Sequence, residues 1–169
     1  FTFSASIYKT NIMQTNYLLP NKYKTIGWIL FIVGIVSGLF LMFNEYETDA
    51  LTINVLSIYH DGILSSKEDG FFRIIENSIL DELIVIAIIV GGLTVGFTKE
   101  KVEDEFIFKL RKDSLVWALI FNYAVLIFAT VFVYDFVFFD VLVFNMFTPL
   151  VFFVFRFNFL KYKSQSHEE

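Results

Sequence analysis

Four apolar stretches, residues 25–43, 79–97, 115–134 and 136–155, are separated by loops of very unequal charge, and no other feature limits the fold of this chain as tightly. About 20 apolar residues in a helix cross the ~30 Å hydrocarbon layer of a bilayer. Each stretch has that length. Lys and Arg are partitioned between the connections: Lys9, Lys22 and Lys24 precede the first stretch, Lys67 and Arg73 lie in the first loop, Lys99, Lys101, Lys109, Arg111 and Lys112 in the second, none in the third, and Arg156, Lys161 and Lys163 follow. Basic residues mark the cytoplasmic side. The pattern predicts an all-α integral membrane protein of four transmembrane helices, with both termini and the second loop cytoplasmic and a small extracytoplasmic segment between helices 1 and 2.

Composition agrees with this without reference to any window. Hydrophobic residues make up 56% of the 169, 23 of them are Phe, and the mean hydropathy is +0.64, greasier than an ordinary soluble domain. The expected layout is a cytoplasmic segment 1–24, a first span 25–43, an outer segment 44–78, a second span 79–97, a charged cytoplasmic helix 98–114 and a third span 115–134. Residue 1 is Phe, and the first Met is Met13, followed by the polar run Gln14, Thr15 and Asn16. The first span is read as a retained helix because no small-residue cleavage pattern closes it before Asn44 and Glu45. Cysteine is absent, which excludes disulfides and thiolate metal sites. A formal net charge of −5 argues against a nucleic-acid partner.

Gly34 and Gly38 form a GxxxG pair in the first span, and Gly92 and Gly96, preceded by Gly91, form another in the second. Such strips let helix backbones approach closely. Packing of these two helices on each other is the simplest use, and a homodimer face is the other. In the outer segment Leu51, Ile53 and Val55 alternate with Thr52 and Asn54, which predicts a strand, followed by a turn at His60, Asp61 and Gly62 and a polar patch from Ser65 to Gly70. Phe71, Phe72, Ile74, Ile75 and Ile79 fall at helical spacing and predict an amphipathic helix on the outer surface. His60 and Asp61 are suitable metal ligands, but two neighbours make no coordination shell, so no metal and no cofactor are expected.

Asp81 and Glu82 open the second span, where the positive end of a helix dipole favours carboxylates. A cation site at the mouth of a pathway is the alternative use. In the second loop Lys99 and Glu103, Lys101 and Glu105, and Glu105 and Lys109 are four apart, as are Val102, Phe106 and Leu110. That spacing predicts a solvated helix with charge pairs and a docking surface. A single helix over residues 115–155 would be about 60 Å long, twice the membrane. The expectation is a hairpin whose outer turn, 135–140, carries Asp135 and Asp140, followed by a fourth span 141–158 and a tail 159–169. Asn122, Thr130, Asn145 and Thr148 are the polar residues inside these spans, with Pro149 just beyond. Thr130 and Asn145 lie at similar depth and are expected to pair, Pro149 to kink the fourth helix, and Arg156 to snorkel to the inner surface.

Four stretches carry a resemblance. They are Tyr17-Leu-Leu-Pro-Asn-Lys-Tyr-Lys-Thr-Ile-Gly-Trp28, the Asp81-Glu82 pair before Gly91-Gly92, Thr98-Lys-Glu-Lys-Val-Glu-Asp-Glu-Phe106, and Asn145-Met-Phe-Thr148 before Arg156-Phe-Asn158. Together they resemble a family of small four-span bacterial inner-membrane proteins that have no assigned activity and are often encoded beside small helix-turn-helix regulators. The resemblance covers most of the chain from Met13 onward, implies Met13 as the native start, and hints at regulation.

Three functional classes follow. A non-enzymatic accessory or regulatory membrane protein acting through protein contacts, with the lipid bilayer, a second copy or another membrane protein as partner, needs only the features present. A small transporter or oligomeric channel would rest on Asp81, Glu82, Asp135 and Asp140, or on a pore lined by Asn122, Thr130 and Asn145, but no ionisable residue lies at mid-membrane, where ion pathways place them. An intramembrane enzyme ranks last, because His60 and His167 are the only histidines and no HExxH or Ser-His pair is present.

Overall fold

A computed structural model describes residues 17–43, 51–60 and 70–165. Within them the chain runs through a short 3-10 turn (Asn21–Tyr23), α1 (Lys24–Phe43), β1 (Thr52–His60), β2 (Gly70–Ser78), α2 (Leu80–Gly96), α3 (Glu105–Phe132) and α4 (Phe136–Gln165). The protein is mostly helical. α1 with its leading turn, α3 and α4 are long and apolar enough to cross a membrane; α2, at 17 residues, spans about 25 Å.

The helices are greasy outside as well as inside. α1 buries Gly27, Phe31, Gly34 and Leu41 and exposes Ile29, Val33, Val36 and Phe40, and a helix apolar all round belongs in a protein core or a membrane. α1 packs antiparallel on α2, with Gly27 facing Thr94 and Gly34 facing Ile88. α3 packs antiparallel on α4, where Phe121 stacks on Phe152 at 4.5 Å. The two hairpins meet along α2 and α4, around a core of Phe31, Val95, Ala118, Phe153, Val154 and Phe157. This core lies toward the end of the bundle that carries the α2–α3 loop, called here the loop end.

β1 and β2 form an antiparallel ribbon at the opposite end, with Val55 across from Ile75 and Leu56 from Ile74. The amphipathic helix expected from Phe71 to Ile79 is therefore corrected to a strand, and the fold is not all-α. Short apolar runs fit either period. Here the aromatic and β-branched side chains and a pairing partner ten residues upstream decide for the strand. Only Ile79 separates β2 from α2. Its N–H donates to the Leu51 carbonyl (3.4 Å), and its carbonyl accepts from Leu83 (3.1 Å).

The α3–α4 turn is tighter than the expected 135–140. It comprises Val133, Tyr134 and Asp135, and Asp140 lies within α4. Asp135 adopts φ 59°, the left-handed conformation that lets a chain reverse in so few residues. The expected helix 98–114 starts only at Glu105. Asp104 caps it, its Oδ1 accepting from the Ile107 N–H at 2.8 Å, which satisfies an orphan donor and stops the helix from extending backwards. Residues 98–104 instead run beside the segment before α1. Leu19 donates to the Phe97 carbonyl and accepts from the Lys99 N–H, both at 2.9 Å.

The polar patch beginning at Ser65, Asp61, residues 1–12 with Met13, and His167 lie outside the described residues.

Candidate functional site

At the loop end, a charged knot takes the place of the expected Lys99–Glu103 and Lys101–Glu105 pairs, while Glu105 and Lys109 do share α3. Because residues 98–104 are not helical, Lys99 and Glu103 do not share a helical face. Glu103 instead pairs with Arg111, whose Nη1 lies 2.5 Å and Nη2 3.2 Å from the two carboxylate oxygens. Nη2 also donates to the Thr98 carbonyl at 3.3 Å. The Arg111 guanidinium sits 5.0 Å from the Phe157 ring centroid, and its side chain is 4% exposed. A planar fork on a carboxylate, stacked on an aromatic face, is the geometry that makes Arg suitable for a buried ion pair.

Beside it, Glu100 ties three parts of the chain together. Its Oε1 accepts from Nζ of Lys24 at the start of α1 and from Nζ of Lys161 near the end of α4, the latter at 3.2 Å. Burial pushes the Glu100 carboxyl up, but the two ammonium groups outweigh it and hold the group below the usual glutamate range. Asn21 Nδ2 donates to the Lys99 carbonyl at 2.7 Å. A cavity of about 560 Å³ opens here, lined by Lys24, Lys101, Lys161, Glu100, Thr25 and Trp28 among others. Sequence reasoning saw a solvated charged face; it did not show which residues turn inward. The visible signal is that Lys24 and Lys161 each flank an apolar span on the same side as Glu100.

The predicted packing glycines divide between two interfaces. A methyl on Gly34 would lie 2.8 Å from Ile88 Cγ1, so this glycine does serve the α1–α2 contact. Gly38 does not need to be small, since a methyl there meets Ile84 at an ordinary 3.4 Å. Gly92 and Gly96 receive Leu150 and Phe153 of α4 rather than α1 alone. Gly91, which the GxxxG spacing does not include, makes the closest of these α1–α2 approaches, at the Phe31 backbone, and Gly27 meets Thr94 as closely as Gly34 meets Ile88.

Between the two hairpins, toward the ribbon end, an apolar groove of about 510 Å³ is lined by Ile35, Gly38, Ile84, Phe147, Phe152 and their neighbours, with Asp81 as its one ionisable lining residue. Asp81 and Glu82 are exposed in the first turn of α2, and Glu82 accepts from Asn77 Nδ2 at 2.7 Å. Asp135 and Asp140 are also exposed at this end. No group of three or more His, Asp or Glu able to hold a metal occurs among the described residues. His60 closes β1 opposite Gly70.

The intramembrane polar residues do not converge. Thr130 is exposed and donates to the Leu126 carbonyl of its own helix at 2.8 Å, so the expected Thr130–Asn145 pair does not form. A helical Thr hydroxyl satisfied four residues back needs no partner across the bundle. Asn145 is buried with Nδ2 unpartnered, and Asn122 Oδ1 is likewise buried and unpartnered. Pro149 lies inside α4 and cannot donate to the Asn145 carbonyl one turn earlier. Arg156 reaches α3: Nη1 donates to Ser114 Oγ at 3.0 Å, with the guanidinium 5.6 Å from the Trp117 ring.

The ribbon presents apolar side chains on both faces. By strand alternation Leu56, Ile58 and Ile74 share one face and Tyr59 and Phe71 the other, the last two in ring contact at 5.2 Å. All five are exposed, Ile74 at 73%, and the sheet has only these two strands among the described residues. Comparison with protein-family models, with characterised proteins and with solved structures finds no match to this chain.

Proposed function

We propose that this chain is a four-span, non-enzymatic accessory or regulatory membrane protein that works through contacts made at its ribbon. The observation that carries the reading is the ribbon itself. An isolated two-stranded hairpin is marginally stable in water, and this one exposes apolar groups on two faces and, among the described residues, has each strand paired in a sheet along one edge only. Edge strands are templates for pairing with another strand. The partner is a second copy or another membrane protein offering an extended segment.

Crossing by α2 as well as by the three longer helices is supported by its packing. It runs antiparallel to α1 from Gly27–Thr94 to Gly38–Ile84, so α1 carries it to the same depth. A cytoplasmic location of both termini is supported by charge: among the described residues, every Lys and Arg outside the ribbon lies at the loop end. Residence in a bacterial inner membrane is supported by the sequence resemblance.

The test is a photo-crosslinker placed at Ile58 or Ile74 in native membranes, together with ion flux in proteoliposomes. The expected result is a crosslinked partner or dimer from both positions and no proton, sodium or potassium flux above empty vesicles. Absence of any crosslink, with flux that is abolished by Asp81→Asn, would replace this reading with that of a small transporter or oligomeric channel using the acidic residues of the ribbon end.

A further inference from the structure

The loop-end cavity combines a cationic rim with an apolar floor. Lys24 and Lys161 share one oxygen of Glu100, and Lys101 borders the same space without an ion pair among the described residues. Three lysines therefore border a cavity with a single lining carboxylate, two of them paired with it and Lys101 exposed. Each ammonium has three donors, and Lys24 and Lys161 are only 15% and 19% exposed, so water replaces the missing counter-charge poorly. The amino end of α1, preceded by its 3-10 turn, opens onto the cavity through Asn21, Lys24 and Thr25, and a helix amino end favours an anion. Trp28, Val102 and Ile107 complete the lining. Trp is the side chain that settles at headgroup depth.

From these features we infer that the cavity bounded by Lys24, Lys101, Lys161 and Trp28 binds the phosphate of an anionic phospholipid, with the acyl chains leaving past Trp28 and Ile107 into the bilayer. This goes beyond the contact function, which needs no lipid site. It requires only that the three long helices lie in a membrane. The ammonium groups of Lys101 and Lys161 supply the charge that selects an anionic over a zwitterionic headgroup, and Glu100 keeps Lys24 and Lys161 pointed inward when the site is empty. Basic pockets between helices at a membrane face have the charge and depth that such headgroups need.

The test uses the full chain in neutral detergent, with native mass spectrometry and thermal melting, against phosphatidylglycerol, phosphatidylcholine and inorganic phosphate. Phosphatidylglycerol should bind and raise the melting midpoint, and phosphatidylcholine should not. Lys101→Gln should weaken phosphatidylglycerol binding about fivefold, the effect of one lysine near an anionic headgroup, while melting like the parent without lipid. Lys112→Gln, an equal loss of charge on exposed α3 surface outside the cavity, should leave binding unchanged. Equal weakening by the two variants, or equal binding of the two lipids, would overturn the inference. Protection by inorganic phosphate that phosphatidylglycerol does not exceed would also overturn it, assigning the cavity to a free anion.

Discussion

Gly91 of α2 lies against the backbone of Phe31 in α1 so closely that a methyl on it would sit 2.5 Å from the Phe31 nitrogen and 2.8 Å from its Cα. Backbone cannot rotate aside as a side chain can. Gly91→Ala should therefore force the hairpin apart and cost about 1–3 kcal/mol, whereas Gly38→Ala, with 3.4 Å to its nearest neighbour, should change stability by less than about 0.5 kcal/mol. Thermal melting of both variants in detergent checks this. Equal midpoints would mean that the hairpin is looser than the geometry requires.

The Glu100 ion pairs predict an acid-sensitive loop end. A carboxyl held below its ordinary 4.5 in the folded protein contributes stability that is fully present above that value and is lost as pH falls through the lower, folded value. Glu100→Gln should thus lower the melting midpoint at pH 7, where it leaves Lys24 and Lys161 facing each other uncompensated. The cost should fall between the ~1 kcal/mol of an exposed pair and the ~3–5 kcal/mol of a buried one. The gap between variant and parent should hold above pH 4.5 and close as pH falls through the lower, folded value. A gap that stays constant with pH would show that another interaction holds the three segments.

At the turn between α3 and α4, Asp135 has φ 59°, a conformation that costs most residues roughly 1–2 kcal/mol, that Asp enters more readily than they do through local hydrogen bonding, and that glycine adopts without steric cost. Asp135→Gly should keep or raise the melting temperature, and Asp135→Val should lower it by about that cost. If Val is tolerated as well as Gly, the reversal is made elsewhere in the chain.

Topology can be read chemically in a chain without cysteine. With Ser57→Cys or Asp135→Cys, an impermeant thiol reagent should label the protein in intact cells. With Lys109→Cys or Ser164→Cys, labelling should wait for lysis. Reaction of both sets before lysis would remove the arrangement with ribbon and loop ends on opposite sides.

What could be read in the sequence followed from length and charge. The long apolar runs became α1, α3 and α4, and the helical hairpin near Asp135 followed from helix rise against membrane thickness. Phe71 to Ser78 was illegible because eight residues with apolar groups at mixed spacing fit both periods, and the deciding fact was β1 across the ribbon. Glycine spacing found Gly34 but promoted Gly38 over Gly91, since a motif records where small residues are, not which neighbour comes closest. The Lys24–Glu100–Lys161 knot joins positions 61 and 76 residues apart, and no local pattern contains that. Thr130 and Asn145 matched in depth, but depth says nothing of rotation about a helix axis.

Because Ile79 alone joins β2 to α2, and its two backbone hydrogen bonds brace the joint from both sides, the ribbon and α2 form a single lever rather than two linked parts. A load applied to the far end of the ribbon arrives as torque on α2, which packs on α1 within its own hairpin and on α4 of the other. Anything that grips the ribbon thereby holds the handle of a helix that lies in the seam between the two halves of the bundle.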